Sequence, residues 1–246
     1  MCGRVTTFFN YEDIEMSFDA VASFEEFMGY NPEDIEAQYN AGPGSKLLII
    51  LKGEQNRLIS KAVFGYSPAW ATKPMFLFNA RAEGDNNQEN DPHYKGPMGI
   101  VQKPAFRDVI KKQRCLIPVN GFIEGTTKEK LDKPHWVYKA DKSFFALAGI
   151  WGIYQTQKTF SIITCMPNEL MQIIPHHRMP VILEPHQYEA WLNPETPIES
   201  ITEMLKPYPA ELMDFHPINP AIKNPRNNSP ELLKEWKQES KHDLFS

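Results

Sequence analysis

Long apolar runs are missing from this 246-residue chain. The longest, Leu47 to Leu51, falls far short of the roughly 20 residues that a membrane-spanning helix needs. No apolar segment follows the first residues, so no secretory signal is expected and Cys2 does not sit behind a lipoprotein leader. Cysteine is scarce as well. Cys2, Cys115 and Cys165 cannot all pair, and none stands in a CxxC or similar metal-ligand spacing. A reducing cytosol suits such a chain. Excess positive charge is also absent. The net charge is −5, which argues against a general polyanion-coating protein and confines nucleic-acid binding to a local patch. No internal repeat and no low-complexity linker interrupts the sequence.

Proline is plentiful, at 21 residues, and points to many loops rather than a helical bundle. Apolar residues at helical spacing (Ile14, Phe18, Val21, Phe24, Phe27) predict an amphipathic helix over 11–28. Strand-like runs follow at 46–52, 57–66, 115–124, 134–139, 144–154 and 159–165. Residues 84–99 are polar and loop-like, and 84–103 is expected to be an insertion. A short helix is expected over 103–113, with Phe106, Val109 and Ile110 on one face. Thr196-Pro197-Ile198-Glu199 offers an N-cap and capping box, and Ser229-Pro230-Glu231 opens a C-terminal helix and tail over 229–246. Strands in runs with helices at the ends predict an α+β single domain over 1–246, with a mostly antiparallel, barrel-like β core and peripheral helices.

Cys2 is the first candidate for chemistry. Loss of Met1 leaves a 1,2-aminothiol, with an amine of pKa roughly 8 and a thiol of about 8.5. An aldehyde forms an imine with the amine, and the thiol then closes a thiazolidine. No internal cysteine does this, because its nitrogen is already an amide. A cysteine at position 2 is also what an idle chain end looks like. Gly3 permits close approach, and Arg4 can hold a phosphate or make a surface ion pair. Asn40 lies in the turn-forming Tyr39-Asn40-Ala41-Gly42-Pro43-Gly44. Glu124 ends an apolar strand, where desolvation would raise its pKa, unless water reaches it. His176 and His177 sit beside Arg178 in a short loop; on an extended chain they point to opposite faces, so no metal site is expected.

These segments resemble the SOS-response-associated peptidase (SRAP) family, whose members crosslink to abasic sites. The resemblance rests on Met1-Cys2-Gly3-Arg4, Tyr39-Asn40-Ala41-x-Pro43-Gly44, Phe64-Gly65-Tyr66-x-Pro68-x-Trp70, Asn79-Ala80-Arg81, Gly121-Phe122-x-Glu124, His176-x-Arg178-x-Pro180, and His216-Pro217 followed by Asn224 and Asn227. It implies a barrel-like α+β domain with a cleft for single-stranded DNA. It implies that Cys2 is the nucleophile, that Asn40 orients the amine and opened sugar, that Glu124 is the acid/base, and that His176 donates a proton to the sugar oxygen. Arg4, Asn79, Arg81 and Arg178 would contact the DNA backbone, and Trp70 would stack on a base. Removal of its own Met1 and a strand-nicking lyase activity are also implied. The implied protein is cytoplasmic and nucleoid-associated on DNA, with monomer as the default, abasic single-stranded DNA as partner, and no cofactor, metal or membrane.

The chain departs from the family pattern at Gly125, Ala71 and Met179, where aromatic or arginine residues are usual, and at Pro104, beside Lys103. Weaker DNA binding with intact chemistry is expected. Two other readings stay open. One is an N-terminal-nucleophile cysteine amidohydrolase. The other is a non-catalytic nucleic-acid or protein-binding module built on Lys103, Arg107, Lys111, Lys112 and Arg114.

Overall fold

Five strands rich in Val, Ile, Leu and Phe need cover on both faces, and closing the sheet on itself supplies it. In the computed structural model, which describes residues 2–22, 36–126, 131 and 133–237, these strands are β4 (Lys46–Lys52), β5 (Arg57–Phe64), β7 (Arg114–Val119), β10 (Phe145–Tyr154) and β11 (Gln157–Cys165). Around the ring β11 pairs with β10, β10 with β7, β7 with β4, β4 with β5, and β5 returns to β11. Only the closing β5–β11 pair within this ring is parallel. Ile49, Ile50, Ile59, Leu116, Ile117, Phe160 and Ile162 are all fully buried. The α+β barrel expected from the sequence is the observed one.

A second, five-stranded antiparallel sheet stands against the barrel. Within it β1 (Val5–Thr7) is flanked by β3 (Gln38–Ala41) at the edge and by the central strand β8 (Gly121–Glu124), with β9 (His135–Lys139) and β14 (Met213–Pro217) beyond β8. The run 115–124 is therefore two strands rather than one. The break is at Asn120, whose side chain accepts from the Phe8 amide (2.6 Å) while its own amide donates to Thr6 (2.8 Å). That residue carries the chain from the barrel into the second sheet. The outer face of this sheet is covered by C-terminal turns, through Ile123, Ile218, Ile222, Leu232 and Leu233.

Short strands complete the barrel rim. β2 (Ala20–Ala22) joins β5, β6 (Asn79–Arg81) and β12 (Met179–Pro180) join β11, and β13 (Ile182–Leu183) joins β10. The helices are brief: α1 (Tyr11–Phe18), α2 (Val109–Lys112), α3 (Glu169–Ile173), α4 (Tyr188–Leu192) and α5 (Ile198–Glu203). None among the described residues is long and apolar enough to cross a membrane.

Several local expectations are corrected. The first helix stops at Phe18 because Asp19 adopts the left-handed conformation (φ 47°) and donates to Glu15, after which Ala20–Ala22 are strand. Residues 23–28 of the expected helix lie outside the described ones. Of the helix expected over 103–113, only 109–112 is α-helical, although Phe106, Val109 and Ile110 do bury one face. Pro197, not Thr196, caps α5, and Thr196 Oγ1 donates instead to Ala190. Ser229-Pro230 opens a single 3-10 turn, Pro230–Leu233, and 238–246 of the expected tail lie outside the described residues.

Gly121 shows how tightly β8 is held. A Cβ there would overlap Trp136 Nε1 and lie 2.6 Å from the Val137 carbonyl, and a backbone neighbour cannot swing aside. Gly121→Ala is expected to destabilise the protein by about 1–3 kcal/mol. Urea unfolding measures this, and an unchanged midpoint would contradict the packing described.

Candidate functional site

Strand β1 delivers the chain start into the protein. Val5 opposes Ala41 on one side and Phe122 on the other, and the Arg4 carbonyl accepts from the Ile123 amide (3.0 Å). Continuing the antiparallel register sets Cys2 and Gly3 alongside Glu124 and Gly125. Cys2 is buried at 1% exposure, so it is not a frayed end. Its carbonyl accepts from Asn79 Nδ2 (2.9 Å), which ties it to β6. Burial, and then the nearby Glu124 charge, push the thiol well above its ordinary value. The resting group is a neutral S–H.

Glu124 and His176 form the core of the site. Glu124 is 3% exposed and His176 likewise 3%, and Glu124 Oε2 lies 3.3 Å from His176 Nε2. His176 Nδ1 is 3.1 Å from the Gly125 carbonyl. A carbonyl only accepts, so Nδ1 carries the proton and, in the neutral ring, Nε2 presents its lone pair to Glu124. A bond between them then needs one shared proton. Electrostatics agrees: burial pushes the Glu124 carboxyl up to about 7, against the opposing charge of the chain terminus. Burial first, then that same positive charge, pushes His176 down to about 3. The pair therefore keeps its proton on the carboxyl side until close to neutral pH.

His176 and His177 do not point to opposite faces. Their rings lie 5.1 Å apart, because the chain turns here, with the His176 amide bonded back to the Met171 carbonyl (2.9 Å). Among the described residues no three His, Cys, Asp or Glu side chains are grouped as a metal site.

Asn40 and Arg4 lie on the β3 side. Asn40 Nδ2 is 3.0 Å from each of the Ile222, Asn224 and Asn227 carbonyls, and Oδ1 accepts from Arg4 Nη1 (3.2 Å). Asn40 thus fastens the C-terminal segment to β3 and aims Arg4. Gly42 permits this, since a Cβ there would sit 3.0 Å from Arg4 Nη1.

On the β6 side, Asn79 and Arg81 face the same way, two residues apart. Arg178 is 3% exposed; its Nη2 donates to Glu83 Oε2 and the Thr164 carbonyl, both at 2.7 Å. Arg81 Nε lies 3.6 Å from the same Glu83 oxygen. Trp70 is 63% exposed, on the loop between β5 and β6. Sequence reasoning missed Glu83 and Thr164. The signal for Glu83 was its two-residue step beyond Arg81. Two departures from the family pattern also find their place: Gly125 contributes its carbonyl, which any residue has, and Met179 is wholly buried in the core. The basic run does not form one surface. Arg114 is buried and donates to the carbonyls of Ile110, Lys111, Trp191 and Asn193, while Lys103 pairs with Asp85.

The chain is similar to several known proteins. Abasic site processing protein YoqW of Bacillus subtilis is 32% identical over 95% of this chain and 99% of its own length. Abasic site processing protein YedK of Escherichia coli is 25% identical over 95% and 99%, and the chicken protein HMCES, of the same description, is 26% identical over 79% and 65%. A crystal structure of a Bacteroides thetaiotaomicron protein superposes with a TM-score of 0.78 at 25% identity, covering 96% of this chain and all of that one. Residues 1–225 match the family described as SOS response associated peptidase, and the chain belongs to that family.

Proposed function

We propose that the protein processes abasic sites in single-stranded DNA by forming a thiazolidine between Cys2, freed of Met1, and the aldehyde of the opened sugar. The observation that carries this reading is the one-proton Glu124–His176 pair buried beside Cys2. The relatives named abasic site processing proteins support it.

The steps follow from the groups present. The Cys2 amine adds to the aldehyde carbon, and the new hydroxyl leaves as water after taking a proton from the Glu124–His176 pair. The resulting imine keeps a proton on its nitrogen and is electrophilic. The Cys2 sulfur attacks it, and the thiol proton passes to Glu124, now a carboxylate. One C–N and one C–S bond form, one water is lost, and the pair regains its proton. A thiol kept neutral by burial waits for the imine instead of reacting with other electrophiles. An imine that escapes closure can eliminate the neighbouring phosphate, which is the basis for a lyase side activity. Removal of Met1 by the protein itself would draw on the same proton pair. Arg4 and the Arg81–Arg178 side would hold phosphates, with Trp70 under a base.

Two outcomes are expected. Mixed with single-stranded DNA bearing one abasic site, the protein gives a covalent band on a denaturing gel. Cys2→Ala, or protein retaining Met1, gives none; a band undiminished in Cys2→Ala would exclude this chemistry and leave room for the binding-module reading.

Glu124→Gln should trade activity for stability. A carboxyl raised to about 7 in the folded state binds more protons folded than unfolded, so its contribution to stability is present at low pH and is lost as pH rises through that value. At pH 8 the variant is expected to be more stable than wild type by about 2–3 kcal/mol, with the gain vanishing near pH 4. Its crosslinking is expected to slow by about 100-fold or more. Thermal unfolding against pH, with gel time courses, checks both, and a variant destabilised at pH 8 would contradict the assignment.

A further inference from the structure

Glu83 is fully buried, at 0% exposure, and one of its oxygens serves two arginines: Arg178 Nη2 at 2.7 Å and Arg81 Nε at 3.6 Å. One carboxylate between two guanidinium groups leaves a net positive charge. The hydrogen bonds do not use it up. Arg178 Nη1 and Arg81 Nη2 are both buried and make no hydrogen bond within the protein. Buried donors of this kind are costly unless something accepts from them. Proximity of the two cations also registers electrostatically: burial, then the charge of Arg178, lowers the Arg81 guanidinium below its usual range.

The position is informative. Arg81 stands two residues along β6 from Asn79, whose amide holds the Cys2 carbonyl. Side chains so spaced share a face about 6–7 Å apart. Thr164, paired with Arg81 across β6–β11, fixes the other arginine through its carbonyl and hydroxyl.

We infer that Glu83 is a positioning residue that holds Arg81 and Arg178 side by side with donors free for the two oxygens of one phosphodiester flanking the abasic nucleotide. The inference rests on the proposed function and adds to it the residue that aims the phosphate contacts. A buried carboxylate in an anion site looks counterproductive. Without it, though, the two like charges repel, and the arginines lose their common anchor.

The test is the rate of crosslinking, with protein in excess, to abasic oligonucleotides carrying an uncharged methylphosphonate on the 5′ or the 3′ side of the site, or neither. Wild type is expected to lose about 10-fold or more at one of the two positions, the worth of a charge-assisted hydrogen-bond pair. Glu83→Gln should be slower on unmodified DNA by a similar factor and insensitive to the methylphosphonate, because the interaction is already gone. Glu83→Asp, which keeps the charge, should regain part of the rate and the sensitivity. Wild-type rates equal on all three DNAs would overturn the inference, even if Glu83→Gln did not fold. A Glu83→Gln penalty that multiplies the methylphosphonate penalty would overturn it too. Failure of wild type to form any band would instead reject the proposed function itself.

Discussion

A carboxyl group taken out of water next to a histidine is the constraint on which the site depends. Glu124 and His176 are each 3% exposed and 3.3 Å apart, and a charged pair so placed would have to repay the loss of hydration of both ions. Sharing one proton avoids most of that cost. The Gly125 carbonyl fixes the histidine tautomer, so the proton must lie between Nε2 and the carboxyl oxygen. Burial thereby turns a glutamate that would be ionised in water into a group able to give and take a proton near neutral pH.

The fold exists, in this respect, to bring a chain terminus to that pair. A terminus is ordinarily the most mobile part of a domain. Here β1 is an interior strand of its sheet, held by β3 and β8, and Asn79 secures the carbonyl of Cys2 itself. Asn120 supports the same strand at its other end through Phe8 and Thr6. The closed barrel supplies the rigid wall from which β6 and β12 bring Arg81 and Arg178. Two sheets thus meet at the site, one bringing Cys2, Arg4 and Glu124 and the other, with the loop before β12, bringing His176, Arg81 and Arg178.

Much of the architecture was legible in the sequence where local chemistry decides it. The run 46–52 is continuous β-favouring apolar residues and forms a strand with those bounds. Glu124 at the end of Gly121-Phe122-Ile123 could be read as desolvated because its neighbours are. What escaped depends on contacts far apart in the chain. Asn120 reads as an ordinary strand residue until Phe8 bonds to it. Asp19 ends α1 by a left-handed turn that no apolar spacing announces. The partners of Asn40 lie more than 180 residues away, and Glu83 gains meaning only once Arg178 reaches it from β11's far side. Thr196 carried a capping signature, yet its hydroxyl found a carbonyl of the preceding helix instead.

The central claim is that one residue supplies both atoms of the covalent link. Its most direct measurement is mass spectrometry of the protein after reaction with abasic single-stranded DNA and complete nuclease digestion. The account predicts an adduct weighing the sugar remnant less one water, confined to the N-terminal peptide and joined at both the nitrogen and the sulfur of Cys2. An adduct on a lysine, or one on Cys2 sulfur that leaves the amine free to be acetylated, would contradict it.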